Sequence, residues 1–135
     1  MDPATSANAA ALWVGLHLFL LLTLSVLVVR QRRLHHVEIG DGGGEAPSLA
    51  RAIRAFGNAA EYIPAALIAL VVLAAVGAAP LAIHITGVIL FGGRVTHAVG
   101  VSISSAATPA RSVGMLATWI AYVFAGVALI FYAIL

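Results

Sequence analysis

Long apolar runs, separated by short polar or turn-forming stretches, occupy most of this chain. The first extends over about residues 9–29 and stops at the tract Arg30-Gln31-Arg32-Arg33. The second starts at Pro47-Ser48, a pair suited to opening a helix, and continues to about residue 77. Gly77-Ala78-Ala79-Pro80 is an uncharged connection, short enough to return a third helix antiparallel beside the second over about residues 81–101. A small polar loop, residues 102–109, leads to Arg111 and a fourth run over about residues 112–135. A bilayer's hydrocarbon core takes about 20 apolar residues per helix, so the pattern predicts an all-α membrane protein, a four-helix transmembrane bundle in a single domain, residues 1–135. Pro64 falls inside the second helix, where it frees a carbonyl near Ala60 and marks a place for a kink.

Composition excludes a soluble domain: 62% of the residues are hydrophobic, 9% are charged, and the mean hydropathy is +1.07. At 135 residues the chain has room for its spans and for no extramembrane domain. The early charge is Asp2 and the cations follow the first apolar run, the reverse of a secretory signal, so that run reads as an uncleaved span. Five of the seven arginines lie between Arg30 and Arg54, beside spans, which points to positive-inside topology rather than nucleic acid. The first and third loops are therefore expected in the cytoplasm and both termini outside.

There is no cysteine, so any thiol chemistry must come from a ligand. All the Lys+Arg residues are arginine, which suits carboxylate recognition, although codon bias produces the same usage. His35 and His36 lack a third ligand at metal spacing, and no metal site is expected. Asp41-Gly42-Gly43-Gly44 lacks the lysine and the setting of a phosphate-binding loop and reads as a flexible turn. Trp13, Trp119 and Tyr132 are expected at the interface or facing lipid, and His17 and His84 as structural. Small residues crowd the last two helices, among them Gly87, Gly92, Gly93 and Gly100, then Gly114, Ala117, Ala121 and Gly126, as close helix packing in lipid requires.

The candidate chemistry is concentrated in the second helix. At 100° per residue, Arg51, Arg54, Asn58 and Glu61 fall within an arc of about 80°. Polar groups at membrane depth are costly unless they pair or meet a ligand, so this stripe marks a site or, more blandly, an ion pair stapling helices together. Arg94 and His97 sit in the third helix, and Arg111 with Ser112 at the start of the fourth.

Three tracts together give the chain a resemblance to a known family: Arg51-Ala-Ile-Arg54-Ala-Phe-Gly-Asn58-Ala-Ala-Glu61-Tyr-Ile-Pro64, Gly93-Arg94-Val-Thr-His97-Ala, and Pro109-Ala-Arg111-Ser112-Val113. With the loop Glu38-Ile-Gly-Asp41-Gly-Gly, they resemble the membrane-associated proteins in eicosanoid and glutathione metabolism, MAPEG, and its small bacterial members related to microsomal glutathione transferases. The resemblance implies a homotrimer in a bacterial inner membrane, with glutathione as thiol cosubstrate bound between subunits near the cytoplasmic side. It implies ligand contacts from Arg54, Asn58, Glu61 and His97, with Arg30 as the arginine closing helix one and Arg94 supporting the bundle, paired with Glu61. Arg111 and Ser112 match the pair beside the glutathione sulfur.

Glutathione has two carboxylates, an ammonium and a thiol. Arg30, Arg51 and Arg54 supply guanidinium forks for the first, Glu61 suits the second, and Asn58 both donates and accepts toward a peptide. Arg111 and Ser112, at a helix start, would favour the thiolate, which then attacks a small lipophilic electrophile or a lipid hydroperoxide. This chain departs from the family at Gly57, where several members carry arginine, and at Val101 and Met115, where eicosanoid-processing members carry tyrosine. Two other readings follow from the residues. One is a non-catalytic membrane module binding a lipid or another thiol. The other is a small ion-coupled exporter, which the acid-free first span disfavours.

Overall fold

The computed structural model describes residues 3–134, which form four α-helices: α1 Pro3–His35, α2 Pro47–Ala75, α3 Pro80–Ile103 and α4 Pro109–Ile134. Asp2 and residue 135, the expected end of the fourth span, lie outside the described residues. All four helices are long and apolar enough to cross a membrane. The protein is a four-helix membrane bundle.

Proline opens α2, α3 and α4, where its missing N–H costs nothing and its fixed φ suits a first turn. Thr108 adds a cap to α4, its Oγ1 accepting from the Arg111 amide at 3.3 Å. Gly77, at φ 77°, ends α2: the amide of Ala78 donates to the Leu73 carbonyl at 2.9 Å and turns the chain into α3. The same closure ends α1, but with His36 in the left-handed position at φ 54°, while Val37 donates to the Arg32 carbonyl at 3.1 Å. α1 is thus longer than its apolar run, and Arg30, Arg32 and Arg33 are helical. Nothing in Arg-Gln-Arg-Arg disfavours a helix, and 33 residues reach about 50 Å, well past the hydrocarbon thickness. α2 runs unbroken through Pro64.

Short connections make each helix antiparallel to the next, so α1 and α3 run parallel. α1 packs on α2 and α3, and α4 packs on α3 and α2. α3 is the most enclosed and contributes Ile83, Leu90, Ala98 and Val101 to the core. Four glycines permit the close approaches. A Cβ on Gly87 would fall 2.2 Å from the Trp13 ring, and one on Gly114 would fall 2.4 Å from the His97 backbone nitrogen. Gly93 and Gly100 meet α4 almost as closely, whereas Gly92 and Gly126 face open space.

Two aromatic residues expected at the interface or facing lipid turn inward. Trp13 is 9% exposed, lies against Gly87, and donates its indole N–H to Nδ1 of His84 at 3.1 Å. The Tyr132 hydroxyl accepts from the Ala79 amide at 3.0 Å, serving the uncapped start of α3. Trp119 faces outward, as expected. At the same end of the bundle Ser6 donates to the Ala78 carbonyl at 2.7 Å.

Candidate functional site

The chemistry-bearing side chains gather at the other end, where α2 begins, α3 ends and α4 begins. Arg51, Arg54 and Arg111 line a crevice of about 170 Å³ with Ala50, Val101, Ser104 and Ser105. No acidic residue is among its walls, so three arginines border a space that suits an anion.

Each arginine is held differently. Arg51 donates from Nε to the Ser102 carbonyl at 3.0 Å, near the C-terminal end of α3. Arg54 meets Glu61 at 3.6 Å on the outer face of α2, with both side chains more than half exposed. Arg111 directs Nη1 to the carbonyls of Ala106 at 2.9 Å and Ser105 at 3.3 Å, so it fastens the α3–α4 loop. His97 stands behind it: Nδ1 lies 2.9 Å from the Arg111 carbonyl, which only accepts, so Nδ1 carries the hydrogen. That bond fixes the first turn of α4 against α3. Ser112 is exposed and is not among the crevice walls.

Asn58 belongs to the polar stripe by angle but is buried, because α2 meets α3 along that edge. Its Oδ1 accepts from Nη1 of Arg94 at 2.9 Å. Arg94 is 1% exposed and lies 5.3 Å from the centre of the Tyr62 ring, whose backbone carbonyl receives the Tyr122 hydroxyl. The expected Arg94–Glu61 pair is therefore not formed: Glu61 points outward to Arg54, and Arg94 is satisfied in part by an amide and a ring face. Arg30 is also apart from the crevice, in a groove on α1 with Val26, Val29, Arg33 and Leu34.

The loop at residues 36–46 is tied down rather than free. Arg32 donates to the carbonyls of Gly40 at 2.9 Å and Glu38 at 3.2 Å, and Gly43 donates to Oδ1 of Asp41 at 3.0 Å. His35 and Gln31 both bond Ser48, joining the end of α1 to the start of α2. No group of three or more potential metal ligands occurs among the described residues. Sequence reasoning missed Tyr62, Tyr122 and Thr108. Only Tyr62 carried a signal, through its place beside Glu61 in the α2 tract.

Comparison with known proteins adds a family. A family model described as MAPEG family matches residues 10–131. The inner membrane protein YecN of Escherichia coli, in strains K12 and O6:H1, is 39% identical over 112 residues, covering 83% of this chain and 82% of its own. No solved structure matches the chain.

Proposed function

The chain belongs to the MAPEG family, and from that premise we propose that it is a glutathione-dependent transferase or peroxidase of a bacterial inner membrane, acting on lipophilic electrophiles or lipid hydroperoxides. The observation that carries this reading is the acid-free crevice of Arg51, Arg54 and Arg111, beside the exposed carboxylate of Glu61. One carboxylate of glutathione would take the fork of Arg54, which releases Glu61 to meet the ammonium. The second carboxylate would meet Arg51, or an arginine of α1 such as Arg30 supplied by a neighbouring subunit.

Glu61 also supports assembly. It lies 14 residues along α2, about 21 Å from the helix start, and a carboxylate at that depth facing lipid is costly. A second copy covering this face removes the cost, in keeping with a homotrimer whose ligand sits between subunits, Asn58, Arg94 and His97 bracing the walls from within. The topology in this reading has both termini outside and the arginine-rich end in the cytoplasm.

At the start of α4 the positive end of the helix dipole and the Arg111 cation would favour the thiolate, with Ser112 as hydroxyl donor. The sulfur then attacks an electrophilic carbon and displaces its leaving group, or attacks a hydroperoxide oxygen and is oxidised as the O–O bond breaks. A second reading, a non-catalytic module for a lipid or another thiol, is favoured by one observation: the Arg111 guanidinium bonds its own loop.

The experiment is calorimetric titration of the detergent-purified protein with glutathione, followed by conjugation of an aryl halide. Binding that weakens at least tenfold in Arg54→Met supports the proposal, as does loss of thiolate absorbance in Arg111→Ala with binding retained. No heat at millimolar glutathione from an intact oligomer would exclude it and favour the second reading.

A further inference from the structure

The bundle interior holds polar atoms that the proposed chemistry does not use. Three buried side-chain atoms have no hydrogen-bond partner among the described residues: Nε2 of His17, and Nε and Nη2 of Arg94. His17 is 0% exposed and Arg94 1% exposed, so neither meets lipid or solvent. A buried donor or acceptor left unpaired costs about 1–3 kcal/mol, and more when charged.

The packing of α1 on α3 sets His17 beside Phe91, about one helical turn before Arg94. Trp13 lies on Gly87, the His17 ring is 5.3 Å from that of Phe91, and Leu24 clusters with Ala98, the same offset each time along two parallel helices. Helical side chains lean toward the N-terminus, so Arg94 reaches back one turn, toward the level of Phe91. Its contact with the Tyr62 ring fits that direction.

The chemistry of the unpaired atoms is complementary. His17 Nδ1 is 2.7 Å from the Trp13 carbonyl and must donate to it, which leaves Nε2 of the neutral ring as an acceptor. Arg94 presents two donors. Among the described residues no carboxylate pairs with Arg94, since Glu61 is turned away to Arg54. We infer that His17 and Arg94 hold an ordered water molecule between α1 and α3, accepting from the guanidinium and donating to Nε2. Water fits both requirements, and buried waters commonly make about three hydrogen bonds to groups otherwise unsatisfied. An anion would suit Arg94 but would oppose the lone pair of His17 unless that ring became a second buried cation. The water completes a polar layer, His17–water–Arg94–Asn58, that joins α1 to the α2 tract behind the arginine crevice.

The test is nitrogen-15 NMR of histidine-labelled protein in detergent, with His17→Phe identifying the resonance. Expected are a neutral ring protonated at Nδ1, an Nε2 shift characteristic of a hydrogen-bonded acceptor, and a cross-peak to water. In Arg94→Met the Nε2 shift moves toward the unbonded value and the cross-peak weakens. An unbonded Nε2 without a water cross-peak overturns the inference. So does a doubly protonated ring, which would assign the space to an anion, or a shift and cross-peak unchanged in Arg94→Met. Where Arg94→Met fails to fold, the wild-type spectrum still decides the point, and His17→Gln identifies the resonance where His17→Phe does not fold. None of these readings depends on glutathione binding, so failure here is separate from failure of the proposed function.

Discussion

Gly114→Ala should loosen the α3–α4 crossing that positions the arginine crevice. The added Cβ would lie 2.4 Å from the His97 nitrogen, 2.6 Å from the Gly93 oxygen and 2.7 Å from the His97 Cβ. The two closest atoms are backbone, so no rotamer change relieves them, and the helices must separate by roughly 1 Å to restore ordinary contact. Overpacking of this kind costs about 3 kcal/mol, and alanine's better helix propensity returns about 1, for a net loss of about 2 kcal/mol. For a chain of this size that is a fall of roughly 5–10 °C in Tm, read by thermal unfolding in detergent. The 2.9 Å bond from His97 to the Arg111 carbonyl spans the same crossing, so any thiol binding should weaken with it. Gly126→Ala is the control, because its Cβ meets nothing within 4 Å; it should melt at or above the wild-type temperature. If Gly114→Ala melted with wild type, or both variants fell equally, the crossing would not be limited by backbone contact and the argument would fail.

Other substitutions probe separate features. His36→Gly relieves a left-handed residue at the end of α1 and should stabilise the protein by about 1 kcal/mol, visible as a higher Tm; a lower one would mean the His36 side chain matters more than its backbone. Asn58→Ala leaves the buried Arg94 charge without its best acceptor and should cost about 3 kcal/mol, whereas Arg94→Met removes the charge, leaves only the neutral Asn58 amide unpaired and should cost about 1–2 kcal/mol; the reverse order in thermal unfolding would contradict this account. Tyr132→Phe strips the acceptor from the Ala79 amide at the start of α3 and should cost about 1 kcal/mol, with faster hydrogen exchange at that amide.

The spans and their breaks were legible because they depend on local chemistry. Proline at the helix starts, glycine at position 77 and the apolar runs act within a few residues of themselves. Small residues in α3 and α4 announced close packing, but only contact shows that Gly93, Gly100 and Gly114 make it and Gly92 does not. Trp13 could not be read as interior from its own surroundings, since the space it fills is opened by Gly87, 74 positions later. The polar stripe of α2 was found by angle, yet angle alone did not reveal that α3 covers Asn58 and leaves Arg54 and Glu61 outside. Arg111 was legible as a cation at a helix start, and its bonds to residues 105 and 106 depend on how the loop folds back.

Ser6, Trp13 and Tyr132, from the first and last helices, all fasten to residues 78–84. That end of the bundle is pinned like the rivet of a fan, while at the opposite rim each bond joins helices adjacent in the chain: Ser48 to α1, Arg51 to the Ser102 carbonyl, and His97 to the Arg111 carbonyl. Losing one rim bond therefore frees a single junction, whereas disturbing the short 78–84 stretch would release the first and last helices together.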